Sequence, residues 1–245
     1  MADDMSAPRM GRRPFLIASI ASLSVAAVAT KCAKGLWTPQ RTPAVDLTSY
    51  QPVFFDNTQW QFILAACDRL IPADDEGPGA LETNVPVFID RQMITPYGKG
   101  DDWYMSGPFD SKASYLFGYQ MPFPLQVLYQ KGIDLTNQYT QKQFHANFHE
   151  LSADLQDRVL HDLDQNHIDF SAFGEKDLPA GYFFFRLLDN AKEGYLADPM
   201  YGGNKGMASW LMIDFPGARA SFTEWVTMHN VKYPLKPVSL SGEQA

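Results

Sequence analysis

From residue 58 onward, apolar side chains return every three or four positions: Trp60, Ile63, Leu64, Cys67, Leu70 and Ile71, until Pro72 ends the run. That spacing is the period of one helical face, and no extended strand can bury it on one side. Thr58 and Gln61 stand three apart, as a capping box requires. The same period recurs along the chain. Pro86 suits the first turn of a short helix carrying Val87, Phe88 and Met93. Thr140 and Gln143 form a second capping-box pair, with Phe144, Phe148 and Leu151 behind it. Ser152 can cap a further helix in which Asp154 favours the positive end of the dipole and Leu155, Val159, Leu160 and Leu163 form the stripe. Residues 180–193 carry Tyr182, Phe183, Phe184, Phe185, Leu187 and Leu188 before Gly194, and a last short helix is expected over residues 207–213. No run of alternating apolar and polar residues competes with these helices, and no internal repeat is present. The expected class is mostly α: an irregular helical single domain with long aromatic- and proline-rich loops and an extended N-terminal arm.

The segments between the helices are unusually aromatic. Residues 30–55 hold prolines 39, 43 and 52 and no helical period, which predicts an extended arm lying against other structure through Leu36, Trp37, Val53, Phe54 and Phe55. Residues 95–125 interleave eight glycines and prolines with Trp103, Tyr104, Phe109, Tyr115, Phe117, Tyr119 and Phe123. A loop of that length is uncommon in a compact domain unless it has a function, and its aromatic content argues for a binding surface.

At the N-terminus, Arg12 and Arg13 precede a smooth apolar run that ends in Ala27-Val28-Ala29, the pattern of a cleavable secretory leader of twin-arginine type. The organisation expected is a signal peptide over 1–29, the arm over 30–55, a helical domain over 56–235 and a tail over 236–245. The run is shorter than the ~20 residues of a comfortable membrane span. With 28 acidic against 20 basic residues, the chain is net −8, which disfavours a general nucleic-acid binder. Two cysteines, Cys32 and Cys67, leave an internal bridge, a bridge to another subunit, or a buried inert thiol at Cys67 all open. There is no Cys-x-x-Cys-His for haem attachment, and there are too few cysteines for an iron–sulfur cluster.

Each constellation that resembles chemistry departs from it at a decisive position. Gly202-Gly203-Asn204-Lys205-Gly206 lacks both the order of a P-loop and the preceding strand of a dinucleotide fold, so a structural turn presenting Trp210 is expected. Asp162, Asp164 and Asn166 match the first ligands of a calcium loop, but His167 and Phe173 stand where it needs glycine and a bidentate glutamate. His145 and His149 are four apart, yet Ala146 occupies the position of a zinc protease's glutamate. No nucleophile elbow is present. The expectation is that this chain holds no catalytic residue, no metal and no cofactor of its own.

Three stretches together carry a resemblance, the middle one, "FHANFHELSADLQDRVLHDL" over 144–163, fitting the helical stretch between two hallmarks. "CDRLIPADDEGPGALETNVPVFIDRQM" over 67–93 and "YFFFRLLDNAKEGYLADPMYGGNKGMASWLMIDFPGA" over 182–218 resemble the hallmarks of the small subunit (subunit 3, or γ) of bacterial membrane-bound gluconate 2-dehydrogenases. Related FAD-dependent glucose, fructose and sorbitol dehydrogenases have similar small subunits. Asp214 departs from the pattern, where glycine is expected before Phe-Pro-Gly. The resemblance implies an accessory subunit without cofactor that serves export and maturation of a large flavoprotein. That partner would hold FAD and oxidise D-gluconate to 2-dehydro-D-gluconate, and a multihaem cytochrome c subunit would take the electrons. It also implies the Tat export machinery as a partner and a periplasmic location on the outer face of the cell membrane. The side chains expected at the partner interface are Trp37, Trp103, Tyr104, Phe117, Tyr201 and Trp210. The competing expectations are the small subunit of a related glucose, fructose or sorbitol dehydrogenase, a secreted metalloenzyme using His145 and His149, and a membrane-anchored scaffold that retains residues 1–29.

Overall fold

The computed structural model describes residues 45–110 and 113–245; all of them lie in one compact unit, Thr42–Ala245. Arg12, Arg13, Cys32 and Trp37 lie outside the described residues. Seven α-helices occur among those described: α1 (Asn57–Leu70), α2 (Val85–Met93), the single turn α3 (Pro96–Lys99), α4 (Leu125–Phe144), α5 (Ala153–Asp164), α6 (Ala180–Leu196) and α7 (Ala208–Met212). Short 3-10 turns fill several connections, and the only β pairing described is two isolated bridges, Gly217 with Val238 and Val238 with Gln244. The mostly helical class read from the sequence is the class observed.

Helix α6 forms the axis, packing against α5, α2, α4 and α1. Its Phe183, Phe184, Leu187 and Ala191 are buried. Phe183 meets Tyr129 of α4 edge-on at 6.1 Å and Phe62 of α1 at 6.1 Å, and Phe62 continues to Phe148 at 4.6 Å. Such tilted and edge contacts match positive ring edges to negative faces. Among the described residues no helix is long and apolar enough to cross a membrane.

Helix α1 starts two residues before the sequence pattern suggested. Its N-cap is Asp56, in a capping box with Gln59. The carboxylate accepts the Gln59 amide at 2.8 Å, and the Gln59 side chain accepts the Asp56 amide. An aspartate at N-cap is at least as good as a threonine, so Thr58 is an ordinary first-turn residue and Gln61 lies in the second turn. The second expected box, Thr140 with Gln143, is not a helix start, because both lie inside α4. There Thr140 Oγ1 donates to the Asn137 carbonyl at 3.1 Å. The helix start in that region is displaced to Asn147, boxed with Glu150, on a 3-10 turn. Ser152 is the N-cap position of α5, where its side chain makes no capping hydrogen bond, and Asp154 lies in the first turn as expected.

Helix α4 itself is the element the sequence pattern hides. Its buried face includes Gly132, Thr136, Asn137 and Thr140 among the apolar residues, so its hydrophobic stripe is interrupted. The threonines bond back to helix carbonyls, Thr136 Oγ1 to Gly132 at 2.7 Å, and Asn137 Oδ1 receives the Phe148 amide at 3.0 Å. Glycine at 132 is required by the tertiary fold, since a Cβ there would overlap the Phe183 ring. Gly194 likewise does not end α6, which runs two residues beyond it. A Cβ at 194 would sit 2.7 Å from the Phe88 ring, so the missing side chain lets α2 and α6 close together.

Candidate partner interface

Four polar residues of the two hallmark stretches, Asp90, Asp198, Asn204 and Ser209, are buried and fasten the chain to itself. Asp90 on α2 is fully buried. Its Oδ2 accepts the Tyr50 hydroxyl at 2.6 Å and the Val53 amide at 2.7 Å, while Oδ1 accepts the amides of Phe54 and Phe55 at 3.0 and 3.1 Å. One carboxylate thereby satisfies a hydroxyl and three consecutive amides of the arm. Burial, reinforced by the Asp90 contact, pushes the Tyr50 phenol upward, so Tyr50 stays a neutral donor. The residue to notice in the sequence was a lone acid on the buried face of an apolar helix.

The glycine-rich segment is a clasp of the same kind. Asn204, fully buried and at positive φ, donates to the Ala197 carbonyl at 2.9 Å and accepts the Ser209 amide at 3.0 Å. Ser209 Oγ bonds the Tyr195 carbonyl. A Cβ at Gly203 would overlap the Gly194 carbonyl, so the turn crosses the end of α6 backbone against backbone. The amides of Gly202, Lys205 and Met207 are directed to the carbonyls of Pro199, Thr83 and Asn204. Those amides face the protein's own carbonyls, and a phosphate cradle would need them free. Asp198 caps the preceding turn through Met200 and accepts the Leu240 amide at 2.6 Å, which ties the C-terminal residues to the clasp.

The other motif-like clusters resolve into helix ends. Asp162 and Asp164 sit on the last turn of α5, and Asn166 Oδ1 accepts the Gly181 amide at 3.1 Å. His145 is the left-handed C-cap of α4, and His149 lies on the following 3-10 turn. The two histidines therefore share no helical face, which removes the premise of the competing metalloenzyme expectation. Among the described residues no group of three or more His, Cys, Asp or Glu is placed to hold a metal. Cys67 is a free, fully buried thiol that burial pushes well above the ordinary cysteine range, as expected of an inert core cysteine.

Apolar groups face outward in the aromatic loop. Trp103 is half-buried, edge-on to Tyr119 at 4.7 Å, tilted against Tyr97 at 5.6 Å, and covered by the Arg186 guanidinium at 5.4 Å. Tyr119 donates to the Phe123 carbonyl at 2.6 Å, and burial pushes its phenol upward. On this base Tyr104 and Phe117 stand 79% and 74% exposed. They line an open groove of about 210 Å³ with Pro108, Phe109 and Gln120. Tyr201 is also exposed, on a turn at the other hallmark.

Trp210 corrects the sequence expectation. Its ring is buried, its Nε1 donates to the Leu196 carbonyl at 2.8 Å, and it meets Phe215 edge-on at 5.1 Å. A buried indole needs a partner for its N–H, and the end of α6 supplies one. The outward groups there are its neighbours Leu211, Met212, Ile213 and Phe215, which no helical period singled out.

A helical domain with exposed aromatic and aliphatic side chains presents the kind of surface that marks a contact site. A family model described as gluconate 2-dehydrogenase subunit 3 matches residues 57–217, from the start of α1 to the glycine after Pro216, and the chain belongs to that family. Comparison with curated proteins returned no match, and comparison with solved structures returned none.

Proposed function

We propose that this chain is the non-catalytic small subunit of a membrane-associated, FAD-dependent gluconate 2-dehydrogenase. In this reading a large flavoprotein subunit oxidises D-gluconate to 2-dehydro-D-gluconate and passes electrons to a cytochrome c subunit carrying haem. The small subunit binds the folded flavoprotein and escorts it through the twin-arginine route to the periplasm. The family supports membership of a dehydrogenase complex, and Arg12-Arg13 with the following apolar run supports the route. A folded-protein exporter allows one leader to carry a cofactor-loaded partner that lacks its own.

The observation that carries the accessory role is the engagement of the hallmark polar groups. Asp90, Asp198, Asn204 and Ser209 bind the chain's own backbone, while Tyr104 and Phe117 face solvent. A reacting site requires convergent polar groups open to substrate; a docking subunit requires outward apolar anchors on a rigid base.

The test is to purify the chain alone and together with its co-expressed large subunit. The isolated chain is expected to be colourless and without dye-linked gluconate oxidation, with flavin absorbance and activity residing in the complex. Arg12→Lys with Arg13→Lys is expected to leave the flavoprotein in the cytoplasm. Flavin or gluconate turnover in the isolated chain, or export unchanged by the arginine variant, overturns the reading.

A further inference from the structure

Residues 218–236 leave the helical domain and return to it as a closed arm. At its base the Ala218 amide donates to the Val238 carbonyl at 2.7 Å, the Val238 amide donates to Pro216 at 3.3 Å, and Arg219 donates to the Lys236 carbonyl. Gly217, at positive φ, admits this crossing. The Val238 backbone nitrogen lies 2.8 Å from where a Cβ would stand, leaving no room for a side chain.

Between these ends no residue is buried. The sequence there nevertheless carries Phe222, Trp225, Val226, Met228, Val231, Tyr233 and Leu235. Val226 is 70% exposed, and Met228, Val231 and Leu235 each present about half their surface. Burial of apolar area is the main term favouring any fixed conformation, so an arm of this composition has its stabilising surface still to cover.

The arm is nonetheless locally ordered. Tyr233 meets Phe222 at 5.7 Å and Trp225 at 5.0 Å, both edge-on, and the Arg219 guanidinium lies 5.6 Å from the Tyr233 centroid. Lys232 pairs with Asp214 at 2.7 Å, holding the return strand of the arm beside α7. Between them lies a notch of about 250 Å³ lined by Leu211, Phe215, Tyr233, Pro234 and Leu235. A knob of Trp, Tyr and Arg beside a notch is the composition and shape of an interface hot spot.

Charge narrows the occupant. With Lys232 paired to Asp214, the charge the arm leaves for a partner is Arg219 and Lys236 against the single acid Glu224, on a chain in which 28 acidic residues outnumber 20 basic ones. Its complement is an apolar cleft with an acidic rim. Together with Leu211, Met212, Ile213 and Phe215, the arm exposes on the order of 800 Å² of apolar surface, about what one partner contributes to a stable protein interface. The family match ends at Gly217, so the arm lies beyond the matched residues.

We propose that residues 218–236 are a docking arm whose apolar knob seats in an acid-rimmed cleft on the large subunit of the dehydrogenase. This proposal rests on the accessory-subunit reading and adds where the two chains meet.

The experiment co-expresses the full chain with its large subunit and compares wild type, Val226→Asp with Met228→Asp, and Tyr104→Ala with Phe117→Ala. All four positions are exposed, so circular dichroism and thermal melting of each purified small subunit are expected to be unchanged. The aspartate pair is expected to weaken association at least 30-fold; the loop pair, the other set of outward anchors, is the comparison. Wild-type association is expected to weaken with added salt, as contact between opposite charges requires. If wild type binds and the aspartate pair binds equally well, the arm proposal falls while the accessory reading stands. If wild type does not bind, the accessory reading falls. Loss of self-association in the aspartate pair without change in large-subunit binding would make the arm a contact between copies. Flotation of wild type, but not the aspartate pair, on phosphatidylglycerol–phosphatidylethanolamine vesicles, with large-subunit binding intact, would make it a lipid contact. Either result overturns the proposal.

Discussion

Asp90 shows how much one side chain decides here. Four donors converge on a carboxylate with no exposure, and each hydrogen bond to a charged acceptor contributes about 1.5–3 kcal/mol, less whatever its desolvation costs. Asp90→Asn presents an NH2 group to amides that are themselves donors. It is expected to lower the unfolding free energy by about 3 kcal/mol, measured by urea denaturation, because buried donors are left without acceptors. Tyr50→Phe removes one bond and strands no donor on the arm's backbone, so a loss of about 1 kcal/mol is expected. Equal losses in the two variants would show that Asp90 does not organise the arm. Selective proteolysis within residues 45–55 of the asparagine variant is the accompanying sign.

At the scale of the element, α4 and α6 meet where a glycine faces a phenylalanine. On propensity alone Gly132→Ala would stabilise α4 by about 1 kcal/mol. Against that stands Phe183, fully buried and in the path of the new Cβ, and overpacking a close-packed core costs about 1–3 kcal/mol. The overlap is large enough that packing wins, and Gly132→Ala is expected to lower the melting temperature. Adding Phe183→Leu is expected to recover part of that loss, giving a favourable coupling in a double-mutant cycle. Strict additivity would place the glycine's role elsewhere. The same reasoning explains why α4 was not legible as a helix. A stripe containing Gly132, Thr136 and Thr140 has no clear apolar period, and its fitness for the site exists only once Phe183 and the carbonyls of its own turns are in place.

Over the whole molecule, the core is closed by the helices while apolar surface remains open at the aromatic loop and around the end of α7. A monomer seldom leaves a continuous apolar patch beyond a few hundred Å². The isolated chain is therefore expected to bind an apolar dye such as ANS while fully folded, and to lose that binding on forming its complex. Dye fluorescence unchanged by the large subunit would place the covered surface elsewhere. The net charge of −8 keeps such a chain dispersed in spite of its exposed apolar groups.

The sequence alone determined the class of fold, because a 3.6-residue apolar period and its proline stops are local properties of the chain. It also pointed to the family, because the hallmark stretches hold asparagine, glycines and aspartates at a readable spacing. Tertiary structure decided which of those side chains face inward. Trp210 is buried because the end of α6 offers its indole a carbonyl, and His145 leaves the helical face because α4 ends one residue before it. The outward face of residues 218–236 was likewise invisible in the sequence: apolar composition alone cannot show whether a segment joins the core, since that depends on whether the helices have already filled it.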